Sequence, residues 1–329
     1  MKKIKNAVHA FSFGDPVPVL EGGSMLNYFE SVLLHNKYYA PPIDFDGLSR
    51  AYRCSSHHQS AITVKKNILL STCKTTALLP RTTLEKFVND YLIFGNAYLE
   101  KMTNSFGQTI ALNVPLAKYM RKGAERGLFY LLCGVKEYAF EKDTVFHLVN
   151  PDINQEVYGL PDYFSSLQSA FLNESATLFR RKYYQNGAHA GAILYLTDPL
   201  QKEEDILAIK KQLSQAKGKG NFKNLFIHAP HGKKDGIQVI PLSDIVAKDE
   251  FLNIKNSSRD DILAAHRVPP QLMGVIPTNT AGFGDVEKAG KVFFINEIKP
   301  LQQRLEEVND WLGETVITFT PYELLNDKN

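Results

Sequence analysis

Apolar side chains recur at helical spacing in the segment that follows Pro80. The pattern predicts an amphipathic helix that ends at Gly95. Thr82-Thr83-Leu84-Glu85 has the Ser/Thr-x-x-Glu spacing of a capping box, so we expect the helix to begin at this motif. The apolar positions that repeat three and four residues apart are Leu84, Phe87, Val88, Tyr91 and Leu92.

Short runs rich in apolar and β-branched residues follow this helix and predict strands. A polar connection, Thr103–Gly107, joins the first two runs. We expect an antiparallel meander to accompany the helix. The predicted strands are Asn96–Met102, Gln108–Val114, Leu128–Cys133, Val135–Phe140 and Val145–Val149.

Three long helices are predicted in the second half of the chain. Tyr163–Gln185 contains no proline or glycine and carries an apolar stripe. Ser243–Arg267 is a second proline-free stretch, which Val268-Pro269-Pro270 must end. The third, Val286–Leu312, should be bent by Pro300. Its apolar stripe alternates by three and four residues and consists of Ile298, Leu301, Leu305, Val308 and Leu312.

A small β-α-β-β unit is predicted between the first two long helices. Its helix should follow Asp198-Pro199, an N-cap residue and a proline at the first helical position, and end near Lys217-Gly218. The chain before residue 80 is rich in proline and is interpreted as an extended arm that leads into short helices. The strands predicted for the small unit are Ala192–Leu196, Leu225–His228 and Ile237–Ile240.

The composition is that of a globular chain with little net charge. The 329 residues suggest about two domains, and 44% hydrophobic with 22% charged residues excludes a collagen-like or wholly disordered chain. The net charge of +3 is too small for a histone-like DNA binder. We find no uninterrupted apolar stretch of 18 residues and no secretory signal, so we expect no membrane helix and synthesis in the cytosol.

Phosphate-binding loops are incomplete in this chain. Gly218-Lys219-Gly220-Asn221 lacks the spacing and the Lys-Ser/Thr ending of a Walker A motif. Gly282-Phe283-Gly284 lacks the third glycine and the preceding strand of a dinucleotide-binding loop. Both segments are better interpreted as ordinary loops.

Candidate metal ligands and acid-base pairs are also weak. His228-x-x-His231 has no carboxylate or cysteine near it in sequence, and His57-His58 is more typical of a solvated or capping pair. Cys54, Cys73 and Cys133 are interpreted as buried free thiols in a reducing compartment. Adjacent carboxylates on a helix diverge by about 100° and cannot converge on one substrate; these pairs are Asp260-Asp261 and Glu306-Glu307. We therefore expect no catalytic residues, no cofactor and no metal site.

Charge is segregated along the chain. Seven lysines and no acidic residue lie between Ile206 and Lys234, whereas residues 285–329 hold five basic and nine acidic residues, a local charge of −4. The lysines form either a solubilising surface or a contact for a polyanion. They are Lys210, Lys211, Lys217, Lys219, Lys223, Lys233 and Lys234.

Several motifs resemble those of tailed-bacteriophage portal proteins. The most specific is Ile262–Gly274, which contains His266-Arg267-Val268-Pro269-Pro270 and is followed by Asn279, Gly282 and Glu287. The similarity is closest to the short portals of the PBSX-like group of temperate contractile-tailed phages and prophages. Further matching segments are Phe11–Pro16, Tyr38–Pro42, Phe94–Tyr98, Val145–His147, Tyr158–Leu160 and Arg181–Ala188.

The resemblance implies an α+β portal fold. It comprises a wing with antiparallel strands and helices, two long stem helices, a small α/β clip, a tunnel loop and a long spine helix. The C-terminal crown of larger portals should be minimal or absent, because the chain ends soon after the strand Val316–Thr320. The implied boundaries are wing 1–162, first stem helix 163–187, clip 188–242, second stem helix 243–268, tunnel loop 269–285, and spine helix with a wing strand 286–329.

The resemblance also implies a dodecameric ring at the capsid vertex of the virion, assembled in the bacterial cytoplasm. Double-stranded DNA would be packaged and ejected through this ring. Implied partners are the terminase large subunit, a head-completion or adaptor protein, and the major capsid and scaffold proteins, with the clip lysines as the docking site. The residues implied to line the channel are Pro277, Thr278, Asn279, Thr280, Ala281, Gly282, Phe283 and Gly284.

Two functions of other classes remain open at this point. An enzyme subunit with an unrecognised site could share the α+β composition. A basic nucleic-acid-binding module could explain the lysines. Assembly state distinguishes them, because a ring with a central pore favours the portal and an active monomer favours an enzyme.

Overall fold

A computed structural model describes most of the chain. The described residues are 9–11, 31–153, 156–185, 192–196, 225–228, 237–241, 245–275 and 285–323. The chain divides into two compact units, one drawn from residues 22–171 and 258–329 and the other from residues 1–21 and 172–257.

The helices agree closely with the predicted segments after residue 80. Before that residue the sequence predicts an extended arm that leads into short helices. The structure has two helices there, Phe45–Ala51 and Ser56–Ser71, and the second is longer than expected, with 16 residues. Short 3-10 helices lie at Ala117–Tyr119, Phe164–Ser166 and Pro270–Met273. The α-helices are α1 (Phe45–Ala51), α2 (Ser56–Ser71), α3 (Arg81–Phe94), α4 (Leu167–Gln185), α5 (Ile245–His266), α6 (Val286–Phe293) and α7 (Lys299–Leu312).

The strands also lie where the sequence pattern predicts them. The exceptions are the strands before residue 76 and the short strand Met120–Lys122, for which the pattern predicts no strand. The strands are β1 (His9–Phe11), β2 (Leu33–Leu34), β3 (Tyr38–Tyr39), β4 (Cys73–Thr75), β5 (Asn96–Thr103), β6 (Thr109–Asn113), β7 (Met120–Lys122), β8 (Phe129–Cys133), β9 (Lys136–Ala139), β10 (Val145–Val149), β11 (Ala192–Leu196), β12 (Leu225–His228), β13 (Ile237–Pro241) and β14 (Ile317–Phe319).

The predicted meander is wrong in its pairing. The strands of the larger unit form two three-stranded sheets, β10-β5-β6 and β7-β8-β9, and β10 returns to pair with β5. This pairing sets Leu148 opposite Ala97, and both side chains lie in the same hydrophobic core. A sheet with a buried face is specified by which residues reach the core, and sequence order alone does not reveal that.

The beginning of α3 also differs from the prediction. Its N-cap is Pro80, in an extended conformation with no side-chain cap, and Glu85 binds Lys66 of α2 at 2.6 Å. Proline fixes its own φ and lacks an N–H, so it marks the helix start without a capping box. The predicted end is confirmed, since Gly95 takes a left-handed φ of +68°.

The apolar stripe of the last helix is confirmed as a core face. Ile298, Leu305 and Val308 are buried against the cluster that contains Leu84 and Phe87 of α3. The helix does not simply bend at Pro300. A π-helical turn, Phe294–Ile298, precedes the proline and joins α6 to α7. Proline cannot donate a hydrogen bond to the preceding turn, and the wider turn meets this constraint.

The second unit contains a four-stranded sheet with the order β1-β12-β11-β13. β11 and β12 are parallel, and β1 and β13 pair antiparallel at the two edges. The sheet therefore joins a strand from the N-terminal arm, His9–Phe11, to the strands of the predicted clip. The helix expected between residues 198 and 218 lies outside the described residues.

α4 and α5 lie side by side at two points. In the larger unit the Ser169 hydroxyl donates to a carboxylate oxygen of Asp261 over 3.2 Å. In the second unit the Asn173 amide donates to the backbone carbonyl of Lys255 over 3.2 Å. The two helices are thus neighbours, as expected of a helix pair that leaves and re-enters the larger unit.

Candidate functional site

The His-Arg motif at the end of α5 forms a buried histidine pair. His266 is 2% exposed and its Nε2 lies 2.9 Å from Nδ1 of His58, a fully buried residue of α2. The Tyr163 ring stacks on His266 and meets His58 edge-on. Burial lowers the pKa of both histidines well below 6.5, and for His266 the neighbouring His58, Lys65 and Arg267 lower it further. Both rings are therefore neutral at pH 7.

The next residue, Arg267, connects three segments. Its backbone has φ +54°, a left-handed conformation that is uncommon for a residue with a Cβ. From this position the guanidinium Nε donates to Glu297 over 2.6 Å and Nη2 donates to Asp162 over 3.0 Å. Glu297 lies in the π-helical turn, and Asp162 lies just before α4. One side chain thus binds the end of α5, the chain entering α4 and the last long helix.

Glu297 has a second cationic partner inside the protein. Lys65 of α2 lies 3.4 Å from Glu297, and the two side chains are only 4% and 12% exposed. Burial lowers the pKa of Lys65, while Glu297 opposes that shift. The hydrogen bond to Glu297 raises the pKa of Arg267. The carboxylate of Glu297 therefore balances two cations in a largely dry environment.

The polar network continues from Asp162 back to the last helix. Asn150 donates from its side-chain amide to Asp162 over 2.8 Å and accepts from Arg304 of α7 over 2.7 Å. Arg304 also donates to the Tyr91 hydroxyl. The chain of hydrogen bonds thus extends from Glu297 through Arg267, Asp162 and Asn150 to Arg304. Arg304 lies seven residues after Glu297 in the sequence.

Two further segments that match portal motifs, Phe94–Tyr98 and Tyr158–Leu160, contact each other beside this network. Asn96 accepts from the Gly159 N–H and donates to the Gly159 carbonyl, each over 2.8 Å. Gly159 lies so close to the backbone of Gly95 and Asn150 that a Cβ would overlap both of their carbonyl oxygens. His147 stacks on Tyr98 and bonds to Asn96, and burial lowers the pKa of His147 to about 3. Glycine is therefore required at positions 95 and 159, because a Cβ at either would overlap neighbouring backbone atoms.

Both ends of the predicted tunnel loop, residues 269–285, are anchored. At its start, Pro270–Met273 forms a 3-10 helix that ends at Gly274, and Leu272 packs against the core beside Gly290. At its end, the carboxylate of Asp285 caps α6 by accepting from the backbone N–H of Lys288 over 3.0 Å. The chain thus enters and leaves the predicted loop from fixed positions.

The predicted site residues themselves lie outside the described residues. This holds for the channel residues Pro277, Thr278, Asn279, Thr280, Ala281, Gly282, Phe283 and Gly284. It holds equally for the clip lysines Lys210, Lys211, Lys217, Lys219, Lys223, Lys233 and Lys234.

Two interpretations of single residues were wrong. His58 is not solvated, because it is buried against His266, 208 residues away, and no local pattern signals such a contact. Cys133 is exposed at the end of β8, whereas Cys54 and Cys73 are partly buried, and none of the three cysteines forms a disulfide. The exposed carboxylates Asp260 and Asp261 are confirmed as a solvated face.

Within the described ranges, no three histidine, cysteine, aspartate or glutamate side chains are arranged to hold a metal ion. No helix in the part of the chain that the structure describes is long and apolar enough to cross a membrane.

Comparison with known proteins identifies the family. The profile of the family described as phage portal protein matches residues 69–327. A probable portal protein of Escherichia phage P2 is 50% identical over 323 residues, which cover 98% of this chain and 94% of the phage P2 protein. This chain belongs to the phage portal protein family. A second portal relative, the probable portal protein of Haemophilus phage HP1, is 38% identical over 276 residues, 82% of this chain and 80% of its own length.

Solved structures confirm the fold of this portal protein. A chain from the virion of a native gene transfer agent particle superposes with a TM-score of 0.62 at 17% identity, covering 85% of this chain and 84% of its own. A portal protein of the HK97 family from Corynebacterium diphtheriae gives 0.57 at 12% identity, covering 88% and 96%. The expected α+β portal fold and the assignment as a portal protein of tailed phages are confirmed, and neither alternative function is favoured.

Proposed function

We propose that this portal protein assembles into a closed ring of twelve subunits at the capsid vertex. DNA enters the head through the ring during packaging and leaves through it during ejection. The match to portal proteins over nearly the whole chain carries the proposal. A neck of a native gene transfer agent particle, computed with C12 symmetry, contains a chain with a TM-score of 0.60 over 83% of both chains, which supports the subunit number.

The mechanism is mechanical and electrostatic. A ring closes when each subunit binds its neighbour through two unlike surfaces and the rotation between them divides a full turn. The axial channel is then lined by one repeated set of residues. DNA presents the same phosphate charge at every sequence, so the lining must contact phosphate weakly to let the duplex slide. We infer that ATP hydrolysis belongs to the terminase and that this chain has no enzymatic activity.

Assembly is the direct test of this function. We expect the purified protein, alone or with scaffold and capsid proteins, to form rings with a central pore in negative-stain micrographs, and to show neither ATPase nor nuclease activity. Sedimentation as a monomer at every concentration and salt, with or without those proteins, would contradict the ring.

The segments of the chain take the following roles in this proposal. Residues 1–162 form the wing, 163–187 and 243–268 the stem, 188–242 the clip, 269–285 the tunnel loop, and 286–329 the spine helix with a wing strand. The side-by-side arrangement of α4 and α5 supports the stem assignment. The pairing of β1 with β12 supports one addition to this scheme, in which the N-terminal arm, although counted with the wing, contributes a strand to the clip sheet.

The channel lining makes a prediction for Asn279. Threonine and asparagine in residues 277–284 offer neutral groups that can touch phosphate without holding it. In a Cys133→Ser background, which removes the exposed thiol, we expect a photocrosslinker on Asn279→Cys to label DNA in filled particles. The matched control is Ser105→Cys, in the exposed hairpin tip between β5 and β6, which should stay unlabelled. Equal labelling of both positions would show that residues 277–284 do not line the channel.

The clip lysines make a prediction for partner docking. Replacing Lys217, Lys219 and Lys223 with glutamate changes the local charge by six units, so an acidic surface of the terminase or adaptor should bind at least about tenfold more weakly. Three exposed lysines of the larger unit, Lys74, Lys86 and Lys136, serve as the control when changed to glutamate in the same way. Binding to terminase and adaptor is measured by interferometry. Equal loss in both variants would indicate nonspecific attraction, and loss in neither would exclude the lysines.

A further inference from the structure

We propose that Arg267 is a positioning residue that holds the two flanks of the tunnel loop in register with the start of the first stem helix. The proposal rests on the proposed function for the identity of the tunnel loop and of the stem helix. The contacts that carry it lie within the larger unit. They join one guanidinium to Glu297 and Asp162, on two segments distant from it in sequence.

The position of the two partners explains what is held. Arg267 precedes residues 277–284 and Glu297 follows them, so their 2.6 Å hydrogen bond closes a loop of about thirty residues that contains the proposed channel segment. Asp162 lies five residues before α4. A displacement of the loop base relative to the first stem helix must therefore break a bond to Arg267.

Two backbone irregularities direct the charged groups to each other. Arg267 adopts φ +54°, and the Val268 N–H bonds back to the Leu263 carbonyl over 3.1 Å, so the chain reverses at the end of α5. In the last helix, Phe293 and Ile298 are both buried although they are five residues apart. A regular helix would bring Glu297 to the buried face below Phe293, whereas the π-helical turn places Ile298 there and leaves Glu297 at its edge.

The surroundings of the partners make these bonds stronger than ordinary surface ion pairs. The Arg267 side chain is 52% exposed, which alone would suggest a contribution near zero. Glu297, however, is 12% exposed and also faces the buried Lys65. Asp162 is fixed from its other side by Asn150, which in turn is held by Arg304. Both acceptors are thus immobilised before Arg267 binds, so less conformational entropy is lost when the guanidinium bonds to them.

Arginine is required because the two carboxylates are reached from different nitrogens of one planar group. Nε binds Glu297 and Nη2 binds Asp162. A lysine ammonium on a flexible stem carries the same charge but presents no such fork. Arg267→Lys should therefore keep the net charge and the fold while losing the simultaneous contact.

Hydrogen exchange of the assembled ring, read by mass spectrometry, tests the proposal. In Arg267→Lys and Arg267→Ala we expect exchange to accelerate about tenfold or more in peptides covering residues 161–171, 268–275 and 285–293. Exchange in β5 and β10 should stay unchanged. The matched control is Arg50→Ala on α1, an arginine with a side chain 66% exposed, whose guanidinium lies 3.8 Å from Asp44 at the start of its own helix. This control should leave all of these peptides unchanged.

Other outcomes overturn the proposal. If the three peptides exchange at the wild-type rate in the Arg267 variants, Arg267 does not hold the loop flanks or the start of the first stem helix in place. A uniform acceleration that includes β5 and β10 means that it contributes only to global stability. If Arg267→Ala does not assemble, Arg267→Lys alone decides between these outcomes. Ring formation and DNA labelling at Asn279 are measured separately, so a failure here leaves the portal function standing.

Discussion

Replacing Gly159 with alanine is expected to prevent the larger unit from folding or to lower its unfolding free energy by more than about 4 kcal/mol. The added Cβ would overlap the carbonyl oxygens of Gly95 and Asn150 and lie 2.6 Å from the Asn150 nitrogen. These are backbone atoms that hydrogen bonds hold in place. The Asn150 N–H donates to the Gly95 carbonyl over 2.8 Å, and the Asn150 carbonyl accepts from the Leu160 N–H over 3.3 Å, so neither can move aside cheaply. Soluble yield and denaturant unfolding followed by circular dichroism measure the effect.

Gly107→Ala is the matched control for that experiment. Gly107 has φ +76°, but nothing lies within 4 Å of the position that its Cβ would occupy. Alanine there meets only the strain of the left-handed conformation, about 1 to 2 kcal/mol. If Gly159→Ala lowered the unfolding free energy no more than Gly107→Ala does, the segments around Gly95 and Gly159 would not be in close contact.

Mild acid is expected to destabilise the larger unit steeply. His58, His266 and His147 have folded pKa values below the unfolded value of about 6.5. As pH falls below 6.5 the unfolded chain binds protons that the folded chain rejects, so this stability is present above that pH and lost below it. Protonating either ring of the buried pair would also place positive charge beside Lys65 and Arg267.

One carboxyl opposes this trend. Burial raises the pKa of Asp90 to about 7, so between pH 4 and 7 the folded chain holds a proton that the unfolded chain releases. His147 rejects a proton over the same range and offsets Asp90, so the buried pair sets the slope. The net difference is one to two protons, about 1.4 to 2.7 kcal/mol per pH unit between pH 6 and 4.5.

Denaturant unfolding at a series of pH values checks the slope. The double variant His58→Gln/His266→Gln removes two of the titrating groups and keeps amides that can bond to each other. We expect its stability to become nearly independent of pH in this range. A slope unchanged from the wild type would assign the acid sensitivity to groups other than the histidine pair.

The helices and strands of this fold could be predicted from the sequence better than the pairing of the strands. The limits of β5, β10, β11 and β12 follow from runs of apolar residues, which are local properties. Pairing β10 with β5 depends on Leu148 reaching the same core as Ala97, and that contact belongs to the folded chain. The error in the meander therefore arose where a local pattern had to predict a distant contact.

The same reason explains why the partners of the His266-Arg267 motif could not be predicted from the sequence. His266 and Arg267 were recognised by resemblance, but their partners His58, Asp162 and Glu297 are 30 to 208 residues away. Gly95 could be predicted as a helix end because glycine favours the left-handed conformation. The need for glycine at 159 could not, since it comes from a backbone that crosses there only in the folded protein.

The π-helical turn at Phe294–Ile298 has a consequence for comparing and redesigning portal sequences. It acts as a one-residue insertion in the helix, so the faces of α6 and α7 follow separate periodicities. A regular helix continued from Phe293 would assign Glu297 to the buried face, whereas the apolar stripe of α7 begins at Ile298. A relative with one residue fewer between Phe293 and Ile298 should have a regular helix and a different partner for Arg267. An alignment with such a relative would need a gap at the turn, and a coiled coil grafted onto α7 must take its heptad register from Ile298 onward.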